Sequence, residues 1–283
     1  LKSKGLVAEH DGATWLKTEG IADDKDRVLI KSDGKPTYFL ADLAYHYDKF
    51  IKRKFDIAAN IWGADHHGYV ARLKSGVEAL GVDPERLKII ITQLVRLVEN
   101  GQEVKMSKRK GEFVTMDELI KEVGKDVARF FFLMHSPDTH MDFNIALAKE
   151  RSMNNPVYYA QYAYVRCRSI LAKAKISNFK FQISKQIPMS KLQILNSESE
   201  INLLKELVRY TYIISQTAVD YQVSRVARYA LEIARAVHNF YEKERVIDEK
   251  GKVIQSRLAL MAATEKVLKQ VFGLLGIAAP EKM

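Results

Sequence analysis

Two hydrophobic rhythms divide this chain and limit what it can fold into. Over roughly the first 100 residues, short apolar runs of strand length alternate with stretches of helical period. From Met116 onward the period is helical and stays so. Residues 26–31 (DRVLIK) read as a strand, closed by the turn Ser32-Asp33-Gly34-Lys35-Pro36. Thr37 is placed to cap a helix beginning at Tyr38, in which Phe39, Leu43, Phe50 and Ile51 recur near helical spacing. Lys49, Lys52, Arg53 and Lys54 crowd its C-terminal end, where the helix dipole favours cations. Residues 56–62 (DIAANIW) form a second predicted strand that stops at Gly63. A helix follows from near Gly68 to Leu80, Gly81-Val82-Asp83-Pro84 breaks it, and 87–98 is a third predicted strand. This alternation predicts a parallel sheet wrapped by helices. Helices are predicted at 116–134, 145–176, 199–219, 222–245 and 252–275, and the polar stretch 177–196, with Pro188, as a long connection. The expected division is an α/β part at 1–143 and an all-α part at 144–283.

Charge follows the same division. Residues 1–150 hold 24 Lys+Arg against 24 Asp+Glu, whereas 151–283 hold 21 against 11, so the net +10 lies wholly in the second part. Phosphates release counterions to lysine and arginine, which makes a nucleic acid the natural partner of a basic domain. Basic surface also serves solubility, and charge alone leaves both readings open. The chain has 283 residues, 47% of them hydrophobic, enough to bury more than one core. No apolar stretch is long enough to span a bilayer, and no segment has the pattern of a signal peptide. The single cysteine, Cys167, gives neither a disulfide framework nor a thiolate metal cluster, and a cytoplasmic location is expected. The first residue is Leu1 rather than methionine, so the expectation is that the natural start lies elsewhere.

Two segments carry candidate chemistry. Gly63-Ala64-Asp65-His66-His67-Gly68 directly follows a predicted strand, and in open parallel sheets ligands sit beyond the carboxyl ends of the strands. Its glycines permit close backbone approach, Asp65 is able to accept from a ribose hydroxyl, and His66 and His67 suit phosphate or base. Read alone, the segment is equally a tight turn with surface histidines. No Cys/His/Glu spacing accompanies it, so no metal site is expected. The second segment, Lys105-Met106-Ser107-Lys108-Arg109-Lys110-Gly111, places five donor side chains in six residues. Such a loop suits a polyphosphate whose charge grows as a phosphoryl bond breaks, although a generic basic cluster is more often a solvated patch.

The letters KMSKR at 105–109 closely resemble the KMSK signature loop of class I aminoacyl-tRNA synthetases, and Gly63-Ala64-Asp65 resembles the ATP-ribose site of that class. Residues 11–15 (DGATW), 24–29 (DKDRVL), 37–42 (TYFLAD), 61–70 (IWGADHHGYV) and 155–163 (NPVYYAQYA) resemble arginyl-tRNA synthetases, in family order. The tail 274–283 (LLGIAAPEKM) resembles the natural C-terminus of that family.

The resemblance implies the second half of a Rossmann-type nucleotide-binding fold followed by an all-α anticodon-binding helical bundle. It implies that Lys105 and Lys108 stabilise the pyrophosphate leaving group and that Gly63 and Asp65 hold the ribose. His66, His67, Met106, Ser107 and Arg109 complete the implied ATP site. Tyr38 and Asp42, four apart on one helix face, are the implied contacts to substrate arginine. A carboxylate matches the planar fork of a guanidinium, and Tyr38 adds a ring and a hydroxyl.

In the bundle, Val226, Ala230, Ile233, Val237 and Phe240 form a predicted buried stripe. Arg225, Arg228, Arg235, Tyr241 and Met283 are candidates for tRNA contact, arginines on phosphates and exposed rings on unpaired bases. The implied substrates are arginine, ATP with Mg2+ and an arginine tRNA, handled by a monomer without a membrane. The class also needs an HxGH motif, which does not occur here, so the chain is expected to be partial and inactive alone. A catalytically silent tRNA-binding fragment therefore stays open, as does a class I enzyme for another amino acid such as cysteine. Tyr38, Asp42, the lone Cys167 and the lack of zinc ligands argue against cysteine. A nucleotidyltransferase outside translation would share the phosphate loop but not the basic bundle.

Overall fold

The computed structural model describes residues 1–18, 25–99, 101–104, 115–176 and 194–283. The chain divides into two compact units, one of Leu1–Leu94 with Pro137–His140 and one of Val95–Ser136 with Met141–Met283.

The first unit opens with an antiparallel meander of β1 (Val7–His10), β2 (Ala13–Leu16) and β3 (Arg27–Ile30). Asp11 and Gly12, both at positive φ (50° and 70°), make the two-residue hairpin turn between β1 and β2. This is the Asp-Gly pairing that a primed turn demands. The expected strand at 26–31 is thus present, but it does not join a parallel sheet. Its backbone pairs antiparallel with β2, with a bulge between Thr14 and Trp15.

Helix α1 (Tyr38–Tyr47) starts as expected, with the Thr37 hydroxyl accepting from the Leu40 amide at 3.3 Å. It runs on into a π-helical turn at Asp48–Lys52. Strand β4 (Ala58–Gly63), a 3-10 turn (Ala64–Tyr69), α2 (Val70–Ala79) and β5 (Leu87–Thr92) then form a βαβ unit, with β4 and β5 parallel from Ala58↔Leu87 to Gly63↔Thr92. Phe39 and Leu43 of α1 pack with Leu73 and Val77 of α2 in the core. The helices meet at Gly76, where an added methyl would strike the Leu43 and Phe39 side chains. A glycine here allows that approach, at some cost in helix propensity.

The predicted strand 87–98 is two strands. After Thr92 the Gln93 amide donates to the Pro137 carbonyl (2.8 Å) instead of continuing the ladder. The next strand, β6 (Val95–Glu99), lies in the second unit, parallel to β8 (Met141–Asn144) and antiparallel to β7 (Gln102–Glu103).

The rest of the second unit is helical among the described residues. Expected helix 116–134 is broken into α3 (Met116–Val123) and α4 (Lys125–Met134) by Gly124, whose φ of 86° no helix accommodates. Expected helix 145–176 is broken into α5 (Ile145–Lys149) and α6 (Pro156–Ile176). Buried Asn155 makes that break, its amide donating to the Ala148 and Glu150 carbonyls and its oxygen accepting from the Val157 amide. Helices α7 (Glu198–Asp220), α8 (Ser224–Lys243) and α9 (Gln255–Leu275) follow the predicted spans closely. Val226, Ala230, Ile233, Val237 and Phe240 of α8 are all buried, as the stripe predicted. No helix among the described residues is long and apolar enough to cross a membrane.

Candidate functional site

A cavity of about 1490 Å³ opens in the first unit between the meander, α1 and β4. Tyr38, Asp42 and His66 line it, and so do Trp62, Tyr69 and Arg72. Tyr38, first residue of α1, is 93% exposed, so its ring faces solvent rather than core. One turn on, half-buried Asp42 accepts a hydrogen bond at Oδ2 from the Tyr69 hydroxyl (2.7 Å). Burial, followed by the bond to the Asp42 carboxylate, raises the Tyr69 pKa, so the phenol stays protonated and donates. The cavity therefore presents a carboxylate held by a neutral donor, beside an exposed aromatic ring. A carboxylate so placed has the geometry to pair with a planar cation.

Beneath Asp42, buried His46 fixes this part of the helix. The Asp42 carbonyl only accepts, so His46 Nδ1 carries the proton across the 2.7 Å contact. Nε2 then accepts from Asn60 Nδ2 (3.0 Å), while Asn60 Oδ1 accepts from Lys49 Nζ (3.2 Å). Burial lowers the His46 pKa, and nearby Lys49 lowers it further against the carbonyl and Asp42, which raise it.

His238 of α8 is tied in the same way in the second unit. Its Nε2 donates to the Tyr159 carbonyl (3.2 Å) and its Nδ1 accepts from the Arg166 guanidinium (3.0 Å). Burial lowers its pKa, with Arg166 adding to the effect and Glu242 opposing it. Protonating either ring would turn an acceptor nitrogen towards another donor. Both folded pKa values lie below the ordinary 6.5, so the stabilisation is complete above that pH and is lost as pH falls beneath it. Melting temperatures between pH 7.5 and pH 5 should fall on the acid side of about 6.5. A flat profile there would contradict neutral histidines.

Beyond the end of β4, Gly63 leads into the 3-10 turn that carries Asp65, His66 and His67, all three exposed. A methyl at Gly63 would lie 2.7 Å from Asp65 Oδ1, so the glycine makes room for that carboxylate. His66 lines the cavity and sits 3.6 Å from Asp65, whereas Gly63 at the end of β4 and Asp65 and His67 on the turn lie outside its lining. Lys105, Met106, Ser107, Lys108 and Arg109 lie outside the described residues.

In the second unit, the arginines predicted for phosphate contact separate into two kinds. Arg228 and Arg235 are exposed on α8. Arg225 instead gives both terminal nitrogens to Asp220 (3.0 and 2.6 Å), across the turn from α7. It ties the end of α7 to the start of α8. Exposed Tyr241 carries the Arg166 guanidinium 4.4 Å from its ring centroid, and Tyr162 faces the same guanidinium at 4.5 Å. Exposed Met283 ends a tail held by Asp126, which accepts from the Ala278 amide (2.9 Å), and by Arg168, paired with Glu281 (3.4 Å). Tyr69 was not singled out in the sequence, because its partner Asp42 lies 27 positions away; His46 and Arg166 likewise acquire Asn60 and His238 across 14 and 72 positions.

Comparison with known proteins assigns most of the chain to two family models. Residues 1–136 match the family described as tRNA synthetases class I (R), catalytic domain, and residues 160–283 match the DALR anticodon binding domain. An arginine–tRNA ligase of Listeria welshimeri is 48% identical over 284 residues, spanning 100% of this chain and 50% of that protein. A crystal structure named for an arginyl-tRNA synthetase of Campylobacter jejuni is similar with a TM-score of 0.84 at 34% identity, over 100% of this chain and 60% of that one. The Thermus thermophilus arginyl-tRNA synthetase shares the fold, with a TM-score of 0.77 at 19% identity over 98% of this chain and 56% of that one. This chain spans about half the length of the curated relatives it matches. A class I, Rossmann-like catalytic portion followed by a helical anticodon-binding domain, matched end to end, means that the chain belongs to the arginyl-tRNA synthetase family.

Proposed function

We propose that this chain carries the arginine pocket, part of the ATP site and the tRNA-binding bundle of an arginine–tRNA ligase. The observation that carries the reading is the half-buried Asp42 carboxylate, held by Tyr69 on the wall of a cavity beside exposed Tyr38. Asp42 takes the guanidinium of substrate arginine and the Tyr38 ring covers it. Gly63, Asp65, His66 and His67 meet ATP, bound as its Mg2+ complex, at the carboxyl end of β4. Lys105 and Lys108 neutralise the pyrophosphate as it leaves, assisted by Met106, Ser107 and Arg109. In the complete protein the arginine carboxylate attacks the α-phosphorus of ATP and releases pyrophosphate. The terminal ribose hydroxyl of the tRNA then attacks the adenylate carbonyl and releases AMP.

The domain roles follow the 1–143 and 144–283 division, with Arg225, Arg228, Arg235, Tyr241 and Met283 meeting the tRNA. Phosphate contacts from the arginines position the tRNA, and contacts from Tyr241 and Met283 specify the anticodon. A cytoplasmic monomer fits these roles. The reading is tested by presenting the complete protein with ATP, total tRNA and one labelled amino acid at a time. Label from arginine alone should become attached to tRNA. Attachment of cysteine or lysine in place of arginine would overturn the assignment.

A further inference from the structure

Tyr69 has no role in the reading above beyond contact with Asp42, yet its surroundings restrict it closely. Its ring meets Phe39 edge-on (6.3 Å between centroids, 83°) and lies 5.6 Å from Trp62. The Arg72 guanidinium sits over it, 5.2 Å from the centroid. With the ring held on three sides, the direction of its hydroxyl is fixed, and that direction ends on Asp42 Oδ2 at 2.7 Å. We propose that Tyr69 is a specificity-determining positioning residue, locking the plane of the Asp42 carboxylate so that a guanidinium is preferred over a single ammonium. The inference rests on the reading that Asp42 meets the guanidinium of the substrate.

The physical basis is the difference between the two cations. A guanidinium offers donors in a rigid planar fork, and pairing with both carboxylate oxygens requires the two planes to coincide. A carboxylate free to rotate about its side chain loses that alignment. An ammonium is a compact charge with three rotatable donors, and the orientation of the carboxylate matters little to it. Tyr69 occupies one acceptor site on Oδ2, which leaves Oδ1 and the remaining Oδ2 site for a second partner. The phenol also stands between Asp42 and the protein's own guanidinium. Arg72 lines the same cavity, its Nε is buried without a hydrogen-bond partner, and no Arg72–Asp42 ion pair forms among the described residues. Arg72 rests on the face of the ring while the hydroxyl holds the carboxylate, so the internal arginine is kept from the position the substrate needs.

The test uses the complete synthetase with Tyr69→Phe, Asp42→Asn and the double variant, measuring tRNA charging at varied arginine, with lysine as a competing ligand. Tyr69→Phe keeps the ring and its packing and removes only the hydroxyl. The KM for arginine should rise roughly 10-fold, the loss of one hydrogen bond to a charged group, with a smaller effect on kcat and none on the KM for ATP. Inhibition by lysine should stay as it was, so the preference for arginine narrows by the same factor. In the double variant the Tyr69 effect should vanish, because its partner is already altered. Equal weakening of arginine and lysine, effects that combine independently in the double variant, or an unchanged KM for arginine in Tyr69→Phe would each overturn the proposal. If Asp42→Asn lowers arginine use while Tyr69→Phe does not, the Asp42 reading stands and the Tyr69 inference fails. If Asp42→Asn leaves arginine use intact, both fail.

Discussion

Replacing Arg257 with methionine should destabilise the helical unit by about 3–5 kcal/mol, the cost of leaving a buried ion pair with one partner missing. Arg257, at the start of α9, bridges two carboxylates. Its Nε donates to Glu200 (2.6 Å) at the start of α7, and another nitrogen meets Glu244 (2.5 Å) just past α8. A third contact runs from its remaining nitrogen to the Arg245 carbonyl (2.9 Å). The three side chains are 18%, 3% and 13% exposed, so little water is available to replace the guanidinium. Burial pushes the Glu200 carboxyl up, yet the Ser197 amide, Arg257 and the Asn196 amide together hold it below the usual range. Methionine fills similar space but leaves two carboxylates facing each other. In a unit of this size each kcal/mol is worth about 2–4 °C, so the melting temperature should drop by roughly 6–20 °C. Adding Glu200→Gln and Glu244→Gln should recover part of the loss. The buried charges are then gone, while a glutamine oxygen still accepts from the Ser197 and Asn196 amides. A drop under about 2 °C in Arg257→Met would show that water screens the cluster, as it does exposed pairs.

Much of the helical architecture was legible because a 3.6-residue period persists over 20 residues or more, as in α7, α8 and α9. Thr37 was readable as a helix cap for a local reason, since the side chain and the amide it serves are three residues apart. The breaks at Gly124 and Asn155-Pro156 were missed, although glycine and an Asn-Pro pair are boundary signals, because apolar positions remain in phase on either side. Strand partners were the weakest part. Residues 26–31 were identified as a strand, but their antiparallel partner β2 lies across residues 17–26, where no short turn signal announces a hairpin.

In the site, Tyr38 and Asp42 were placed together by helical spacing, and the cavity brings His66 beside them. The Tyr69 hydroxyl reaches Asp42 across 27 residues, a distance for which local pattern carries no signal. Arg225 carries a contact that local pattern did not announce. A cation at the start of a basic helix reads as available to phosphate, and an aspartate five positions back pairs with it.

The carboxylate of Asp42 is the point on which the functional account turns, and Asp42→Asn in the complete synthetase probes it directly. Asparagine has nearly the same shape and still accepts from the Tyr69 hydroxyl, so packing around α1 is retained. What it lacks is the negative charge and the second acceptor oxygen, which together make a guanidinium pair charge-assisted and bidentate. Arginine recognition should weaken by about 1.5–3 kcal/mol, a rise of roughly 10- to 150-fold in the arginine concentration needed. The ATP dependence should be unaltered, because the nucleotide is assigned to Gly63, Asp65 and the 105–109 loop. The measurement is arginine-dependent tRNA charging by wild type and variant, with arginine and ATP varied independently. A rise confined to the arginine dependence is the predicted result, and a change confined to ATP, with arginine use untouched, would contradict the account.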